Sequence, residues 1–272
     1  MRNRKTPNSG ESMRRGRELL KSGQPSAALV HFNHFANNEK YTDTRTGADA
    51  AYMSGTVLFA LGQTESALHY LQKAELFMKN VNDPLLDGKI LRRRSGVYHM
   101  AAMKMKVRTE YDEAAREEQL NEAENYLYSS IIRFKELLRR YENEFERSAE
   151  TPPPGLFDDI EVEIAVSEAT WGLVEYERGD VAGRTRIKKA VATLVNLEKD
   201  HEIELVQSLI LLMQVLPLRE RYGLYEDQVH DRTTKSSPAR ELRKPALVAL
   251  FKTSNRVHLQ AIKRGEIGWK GK

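Results

Sequence analysis

GRELLKSGQPSAALVHFNHF (residues 16–35) and GTVLFALGQTESALHYLQKA (residues 55–74) are two copies of one pattern, and they decide the fold. The copies are offset by 39 residues, both from Gly16 to Gly55 and from Gly23 to Gly62. A fixed period of this size is typical of helical repeats that stack side by side, because one repeat alone cannot bury its apolar face.

Each copy has the residue pattern of a helical hairpin. Gly16 and Gly55 lie in the middle of a predicted helix, where glycine costs about 1 kcal/mol relative to alanine. That cost is tolerable where the missing side chain lets a neighbouring helix approach closely. Gly23 and Gly62 lie where a left-handed residue would close the helix. A small residue and an apolar face at helical spacing then follow in the second helix: Ala28, Phe32 and Phe35 in one copy, and Ala67, Leu71 and Ala74 in the other.

This order of small, apolar and turn residues resembles the tetratricopeptide repeat (TPR) family. The resemblance covers roughly residues 12–200. It implies an all-α fold, an α-solenoid of TPR-like hairpins, with roles in assembly, regulation or chaperoning. The family repeat is about 34 residues long. The longer period here therefore predicts about five extra residues between hairpins, within 36–47.

A third copy is interrupted. Gly96 and Ala123 fit the two small positions, but 27 residues separate them where the first two copies have 12. The sequence predicts that both helices of this hairpin extend beyond the usual length and form a protruding arm within 103–145. The third hairpin is therefore expected to be elongated.

A fourth copy follows, with Gly172 in the first helix and Gly179 at the turn. Arg184 stands at the position of the small crossing residue, directly after Gly183. This departure tells against tight packing of the fourth hairpin.

Proline, glycine and charged residues mark the expected boundaries. We expect a disordered basic N-terminus at 1–11, a TPR-like repeat domain at 12–220, a polar loop at 221–238, and a C-terminal capping helix with a basic tail at 239–272. The segment 151–155 (TPPPG) cannot be helical. It is either a joint in a continuing superhelix or a linker between independent domains. The last helix either caps the repeats or docks elsewhere.

Composition excludes several kinds of site. The 272 residues include no cysteine, which rules out disulfides, thiolate metal sites and cysteine nucleophiles. No phosphate-binding loop, nucleophile elbow or zinc-protease signature occurs. His31 and His34 are one helical turn apart, without an obvious third ligand. We therefore expect a non-enzymatic protein with no catalytic residue, metal or cofactor. The sequence has no run long enough for a membrane span and no secretion signal, so a cytoplasmic location is expected.

Charge is segregated along the chain. The net charge is +4, but residues 1–25 carry +5 and residues 230–272 carry +8, which leaves −9 for the remainder. Basic ends of this kind attract nucleic acid or an acidic partner. They are equally consistent with soluble tails, or with segments that neutralise the acidic body.

In TPR proteins the first helices of successive hairpins line a groove, and the resemblance implies such a groove here. The residues at its positions are Met13, Arg17, Tyr52, Thr56, Arg93 and Val97. Such a groove, partly basic and partly aromatic, suits an acidic or C-terminal peptide segment. It predicts a non-catalytic protein- or peptide-binding scaffold or regulator. Arg93 belongs to the run 92–94, whose members point about 100° apart on a helix and cannot all face one way.

The alternative function is a regulator that binds DNA or RNA through its basic ends. The expected contacts in the C-terminal part are Arg240, Arg243, Lys244, Lys252, Arg256, Lys263 and Arg264. Aromatic residues are sparse there, so base stacking has little support. Homo-oligomerisation through the arm is a third hypothesis.

Overall fold

The computed structural model describes residues 9–148, 150–197 and 201–233, together with the single residues 242, 246 and 249. Within these residues the regular structure is helical and no strand occurs, as predicted. The helices are α1 (Ser9–Lys21), α2 (Pro25–Ala36), α3 (Arg45–Ala60), α4 (Thr64–Met78), α5 (Pro84–Lys104), α6 (Glu110–Ser148), α7 (Leu156–Glu177), α8 (Ala182–Asn196), α9 (Glu202–Val215) and α10 (Leu218–Leu224). The chain forms two compact units that divide inside α6, between Tyr126 and Leu127.

The turn glycines close the first helix of a hairpin as predicted. Gly23, Gly62 and Gly179 have φ values of 72°, 77° and 96°, which a residue with a Cβ rarely adopts. In the second hairpin, the amide of Gly62 donates to the carbonyl of Phe59 and that of Gln63 donates to Leu58, both at 2.9 Å. These are the two hydrogen bonds of a Schellman cap, and the other two turns repeat them.

The mid-helix glycines lie at close helix crossings in the first unit. A Cβ atom added to Gly16 would lie 2.6 Å from the ring of Phe32, and one added to Gly55 would lie 2.7 Å from Leu71. Ala28 and Ala67, the predicted crossing residues, are fully buried. The 39-residue period therefore has the predicted cause, since each glycine makes room for a large side chain of the second helix.

The extra residues between the first two hairpins lie where they were predicted. Eight residues, 37–44, separate α2 from α3 and include the 3₁₀ turn Glu39–Tyr41. Thr44 ends the segment and begins α3 by accepting a hydrogen bond from the amide of Gly47 at 3.1 Å. A side-chain oxygen in this position satisfies one of the free amides at a helix start.

The third hairpin is elongated, but not in the predicted way. Helix α5 ends at Lys104, only eight residues after Gly96, so the first helix gains less than one turn. The added length lies in the connection 105–109 and in α6, which begins at Glu110, thirteen residues before Ala123, and runs for 39 residues. The prediction that both helices extend is wrong for the first one.

A capping box explains why α6 begins so early. The hydroxyl of Thr109 accepts a hydrogen bond from the amide of Asp112 at 3.1 Å. The carboxylate of Asp112 accepts hydrogen bonds from the amides of Thr109 at 2.9 Å and Arg108 at 3.0 Å. This reciprocal pairing fixes a helix start locally, whatever the packing further along.

The proline segment lies inside the second unit. Residues 151–153 are not helical, and Gly155, with a φ of 78°, leads into α7 at Leu156. Asp158 and Asp159 lie in its first turn, where carboxylates interact favourably with the helix dipole. The division between the two units falls earlier, inside α6, and not at 151–155.

The α7–α8 hairpin packs more tightly than its sequence suggested. A Cβ atom added to Gly172 would lie 2.5 Å from the carbonyl oxygen of Gly183, and one added to Gly183 would lie 2.2 Å from that of Gly172. The crossing position therefore belongs to Gly183. Arg184 points to Glu220, with 2.5 Å between the charged atoms. The expectation of loose packing at Arg184 is wrong, because the register is displaced by one residue.

The described part of the predicted polar loop, residues 221–233, is helical except for a turn at His230. Helix α10 continues to Leu224, a π-helical turn covers Tyr225–Val229, and a 3₁₀ turn covers Asp231–Thr233. Tyr225 and Val229 are buried in the core of the second unit. The prediction of a polar loop is therefore wrong here, because it did not allow for the burial of these two side chains.

The chain ends fall largely outside the described residues. Helix α1 begins at Ser9, inside the predicted disordered segment 1–11, and the rest of that segment is not described. Of the predicted C-terminal helix and tail, only residues 242, 246 and 249 are described. Ala246 and Ala249 are helical and buried in the second core. The seven basic residues proposed to contact nucleic acid lie outside the described residues.

Candidate binding face on the first helices

Two of the six predicted groove residues belong to the core. Met13 is 5% exposed and packs in the cluster that contains Phe32. Val97 is 2% exposed and packs with Leu58 and Leu71. Both predictions are wrong for the same reason. Each side chain is apolar and packs into a cluster with residues of the second helices, so it is covered and does not line a groove.

Arg17 links the first hairpin to the second. Its guanidinium is half exposed and forms a hydrogen-bonded ion pair with Asp49 of α3. One helix turn away, Arg45 donates to Asp83 at 2.6 Å, which joins α3 to the start of α5. The charged groups on this side therefore cross from each hairpin to the next and fix the spacing of the first helices.

Burial raises the pKa of Asp49 above its usual value, while the charge and hydrogen bond of Arg17 oppose that increase. Burial and Arg17 therefore change the pKa of Asp49 in opposite directions. Asp49 was not among the sequence-predicted residues. A lone carboxylate on α3 gives no signal in the sequence that it will meet an arginine 32 residues away.

Tyr52 and Thr56 form the centre of the face on α3. Tyr52 is half-buried and packs against both apolar clusters of the first unit. The hydroxyl oxygen of Thr56 is buried and has no hydrogen-bond partner within the described residues. A buried hydroxyl without a partner is a cost to the fold, and because this oxygen is covered it does not face a ligand.

Arg93 completes the face on α5. Its guanidinium carbon lies 5.4 Å from the centre of the Phe59 ring, within the range of a cation–π contact. Phe59 was missed by the sequence reasoning, although it follows Thr56 by three residues and so shares its helix face. The run 92–94 diverges as predicted, since Arg94 is buried and pairs with Glu75.

We define the first-helix face as Arg17, Asp49, Tyr52, Thr56, Phe59 and Arg93. It spans α1, α3 and α5 and carries two guanidinium groups, of which that of Arg17 pairs with Asp49 and that of Arg93 lies over the Phe59 ring. Such a surface can accept carboxylate groups at the arginines and apolar side chains on the rings.

Other chemistry is sparse in the described part of the chain. It holds no group of three His, Cys, Asp or Glu side chains arranged to bind a metal ion. His31 is engaged with the hydroxyl of Ser12 at 3.0 Å. No described helix combines the length and the apolar character that crossing a bilayer requires.

Replacing Arg17 with methionine is expected to raise the pKa of Asp49 further, because burial then acts unopposed by that charge. A raised carboxyl pKa means that the native state keeps its proton at pH values at which the unfolded state has already lost it. The free energy of unfolding therefore falls as the pH rises from about 4 to the native pKa. This fall should be larger in the variant.

The measurement is an NMR titration of the Asp49 side-chain carboxyl. Arg14→Met is the matched control, because Arg14 lies on the same helix but pairs with Glu18 at 3.8 Å. An Asp49 titration that is unchanged, or shifted to lower pH, in Arg17→Met would contradict the assigned contact.

Comparisons with known proteins give a fold likeness only. No protein-family pattern matches the chain, and no curated protein matches its sequence. Among solved structures, a kinesin light chain of Podosopora anserina with nearly identical TPR-like repeats is 13% identical, with a TM-score of 0.41 over 94% of this chain and 96% of that one.

A second solved structure is the assembly chaperone of RpL4 (Acl4). It is 14% identical and has a TM-score of 0.38, over 96% of this chain and all of that one. Both are TPR-like repeat or chaperone structures in which low identity accompanies broad coverage. The TPR-like character of this chain rests on its own features, namely the turn glycines and the close helix crossings described above.

Proposed function

We propose that this protein is a non-catalytic scaffold that binds a partner protein through the first-helix face, and that the bound element is an acidic peptide segment with apolar side chains. The observation that carries the proposal is the placement of Arg93 over Phe59, beside Tyr52 and Thr56 on the same side of the first unit. Cations and aromatic rings together favour a ligand that is both anionic and apolar.

Repetition supports a scaffold more than an enzyme. First helices held at fixed spacing by Arg17–Asp49 and Arg45–Asp83 present a continuous row of side chains, which suits an extended segment. The nucleic-acid alternative stays a prediction, because its residues lie outside the described part of the chain.

The test is fluorescence anisotropy with a labelled peptide of about 12 residues that contains glutamate, leucine and proline, the proline keeping it extended. A second peptide has glutamine in place of every glutamate. We expect the double variant Arg17→Gln, Arg93→Gln to bind the glutamate peptide at least ~10-fold more weakly. Added salt should weaken the wild-type complex.

The matched control removes the same charge from exposed positions. Arg14 and Arg15 are 73% and 62% exposed on α1 and, among the residues that the structure describes, pair with Glu18. Arg14→Gln, Arg15→Gln should leave binding within about twofold, as expected for peripheral exposed charges. Equal losses in the two double variants, or equal binding of the two peptides, would refute the proposed face.

A further inference from the structure

A second exposed surface lies between α7 and α8 in the second unit. The two helices border an open groove of about 630 Å³. Its floor is formed by Ile164, Ala165 and Ala190, of which the alanines are buried. Thr185, Lys189 and Thr193 line it from α8 and are exposed. The groove therefore has a small, apolar floor and is open to solvent.

The solvent side of α8 carries a heptad seam. Its residues recur at alternating spacings of four and three, and all are exposed: Val181, Thr185, Lys188, Ala192 and Val195. Val181 is 66% exposed and Val195 is 42% exposed, which is unusual for valine. Apolar or small residues at this spacing form the contact line of one helix packing along another.

Lysine occupies the middle of this seam. Within the described residues, the amino groups of Lys188 and Lys189 have no hydrogen-bond or ion-pair partner. The nearby carboxylate of Glu168 is already engaged, since it accepts from Arg186 at 2.7 Å and pairs with Lys135 at 3.6 Å. The seam thus carries the cation of Lys188 at its centre, with that of Lys189 beside it in the groove, and neither is paired within the described residues.

A second copy of the chain does not fit this surface. Two α8 helices that pack seam to seam about a two-fold axis would cross near Lys188, the midpoint of the seam, and would place like charges together. A nucleic acid does not fit it either, because its regularly spaced phosphates would extend beyond the two lysines and face Glu161 and Glu168 on the opposite wall of the groove, whereas a helix can place its carboxylates on one side only. The positive charges of Lys188 and Lys189 instead complement a helix that bears carboxylates.

We propose that the α8 seam and the adjoining groove are a second protein-binding site, which takes an amphipathic helix of a partner protein with small apolar residues on its contact line and glutamate or aspartate opposite Lys188 and Lys189. This site is separate from the first-helix face, it is built from another unit, and its ligand is helical where that of the first face is extended.

The test uses two labelled helical peptides of about 21 residues, three heptads long. Both carry leucine and alanine on the contact line, and one has glutamate where the other has lysine at the flanking and facing positions. With the full chain, we expect the glutamate peptide to bind at least ~10-fold more tightly than the lysine peptide in fluorescence anisotropy.

Charge reversal makes the test decisive. In Lys188→Glu, Lys189→Glu the preference should invert, so that the lysine peptide binds more tightly. The matched control is Lys79→Glu, Lys106→Glu, which makes the same charge change at two exposed lysines of the first unit and should keep the preference for glutamate. Ala192→Gln, which puts a long polar side chain on the seam, should weaken both peptides alike.

The two proposed sites fail separately. Arg17→Gln, Arg93→Gln should leave helical-peptide binding unchanged, whether or not it abolishes binding of the extended peptide. The proposal is overturned if neither helical peptide binds, or if the preference survives charge reversal. It is also overturned if light scattering shows a dimer that Lys188→Glu, Lys189→Glu dissolves, or if a DNA duplex displaces the glutamate peptide.

Discussion

Gly172→Ala is expected to destabilise the second unit by about 3 kcal/mol, the upper end of the cost of overpacking a core. The new Cβ atom would lie 2.5 Å from the carbonyl oxygen of Gly183 and 2.7 Å from Ile187. Because the first of these atoms is backbone, no change of rotamer relieves the contact. The two helices must separate, and the surrounding core then loses its packing.

Two other glycines provide the controls. A Cβ atom at Gly223 would meet nothing within 4 Å, and one at Gly96 would meet only the Phe59 ring, at 3.4 Å. Alanine at either position should be neutral or should stabilise the helix by up to about 1 kcal/mol. Urea denaturation, with hydrogen exchange of the α7 and α8 amides to assign the loss to that unit, measures all three variants. Equal stability of Gly172→Ala and Gly223→Ala would show that the helices do not touch there.

Arg186→Met is expected to cost the second unit about 2 kcal/mol, because it removes the main counter-ion of two mostly covered carboxylates, of which Glu168 keeps a contact with Lys135 at 3.6 Å. The guanidinium donates to Glu175 through two nitrogens, at 2.9 and 2.7 Å, and to Glu168 at 2.7 Å. It also lies 4.2 Å from the centre of the Trp171 ring. These contacts raise the pKa of Arg186, with the hydrogen bonds that it donates to Glu175 as the main cause.

The sign of that shift predicts how the loss depends on pH. A cation whose native pKa is raised contributes stability at every pH below its unfolded pKa, and loses it only as the pH rises through the native value. The guanidinium is charged throughout the neutral range in both states. The cost of Arg186→Met should therefore hardly change between about pH 6 and pH 9 as far as this group is concerned.

A neighbouring arginine on the same helix is the matched control. Arg184 pairs with Glu220, whose side chain is 51% exposed, so Arg184→Met should cost no more than about 1 kcal/mol. Adding Glu168→Gln and Glu175→Gln to Arg186→Met should recover part of the loss, because neutral amides need no counter-ion. Equal costs for the two arginine variants in urea denaturation would contradict the proposed network.

Local chemistry made much of the fold predictable. A left-handed glycine at a helix end and a glycine facing a large side chain leave their mark on the sequence itself, and both recur at Gly23 and Gly62, and at Gly16 and Gly55. The start of α5 carries the same kind of local signal. Asp83 directly precedes a proline, and its carboxylate accepts a hydrogen bond from the amide of Leu86 at 3.0 Å.

Register and long-range pairing were not predictable in the same way. Gly183 and Arg184 are adjacent, and only the approach of α7 decides which of them lies at the crossing. The guanidinium of Arg186 binds carboxylates that lie 11 and 18 residues away in the sequence, and these spacings do not predict the contacts. A capping box at Thr109 and Asp112 was readable in principle, but it was overlooked within a charged stretch.

For the candidate site, the sequence predicted which helix carries each residue, and the binding role of these residues stays a prediction. Arg17, Tyr52, Thr56 and Arg93 lie on the first helices as expected. Helical periodicity predicts which side of a helix a residue lies on. The burial of its side chain depends on how closely the neighbouring helix packs, and for that reason Met13 and Val97 were wrongly predicted to be exposed in a groove.

The most direct test of the first-helix face is amide NMR of the full chain, titrated with the extended glutamate–leucine–proline peptide. We expect the largest amide chemical-shift changes on α1, α3 and α5, around Arg17, Tyr52, Phe59 and Arg93. Shifts confined to the second helices α2 and α4, or no saturable shifts on the first helices, would contradict it.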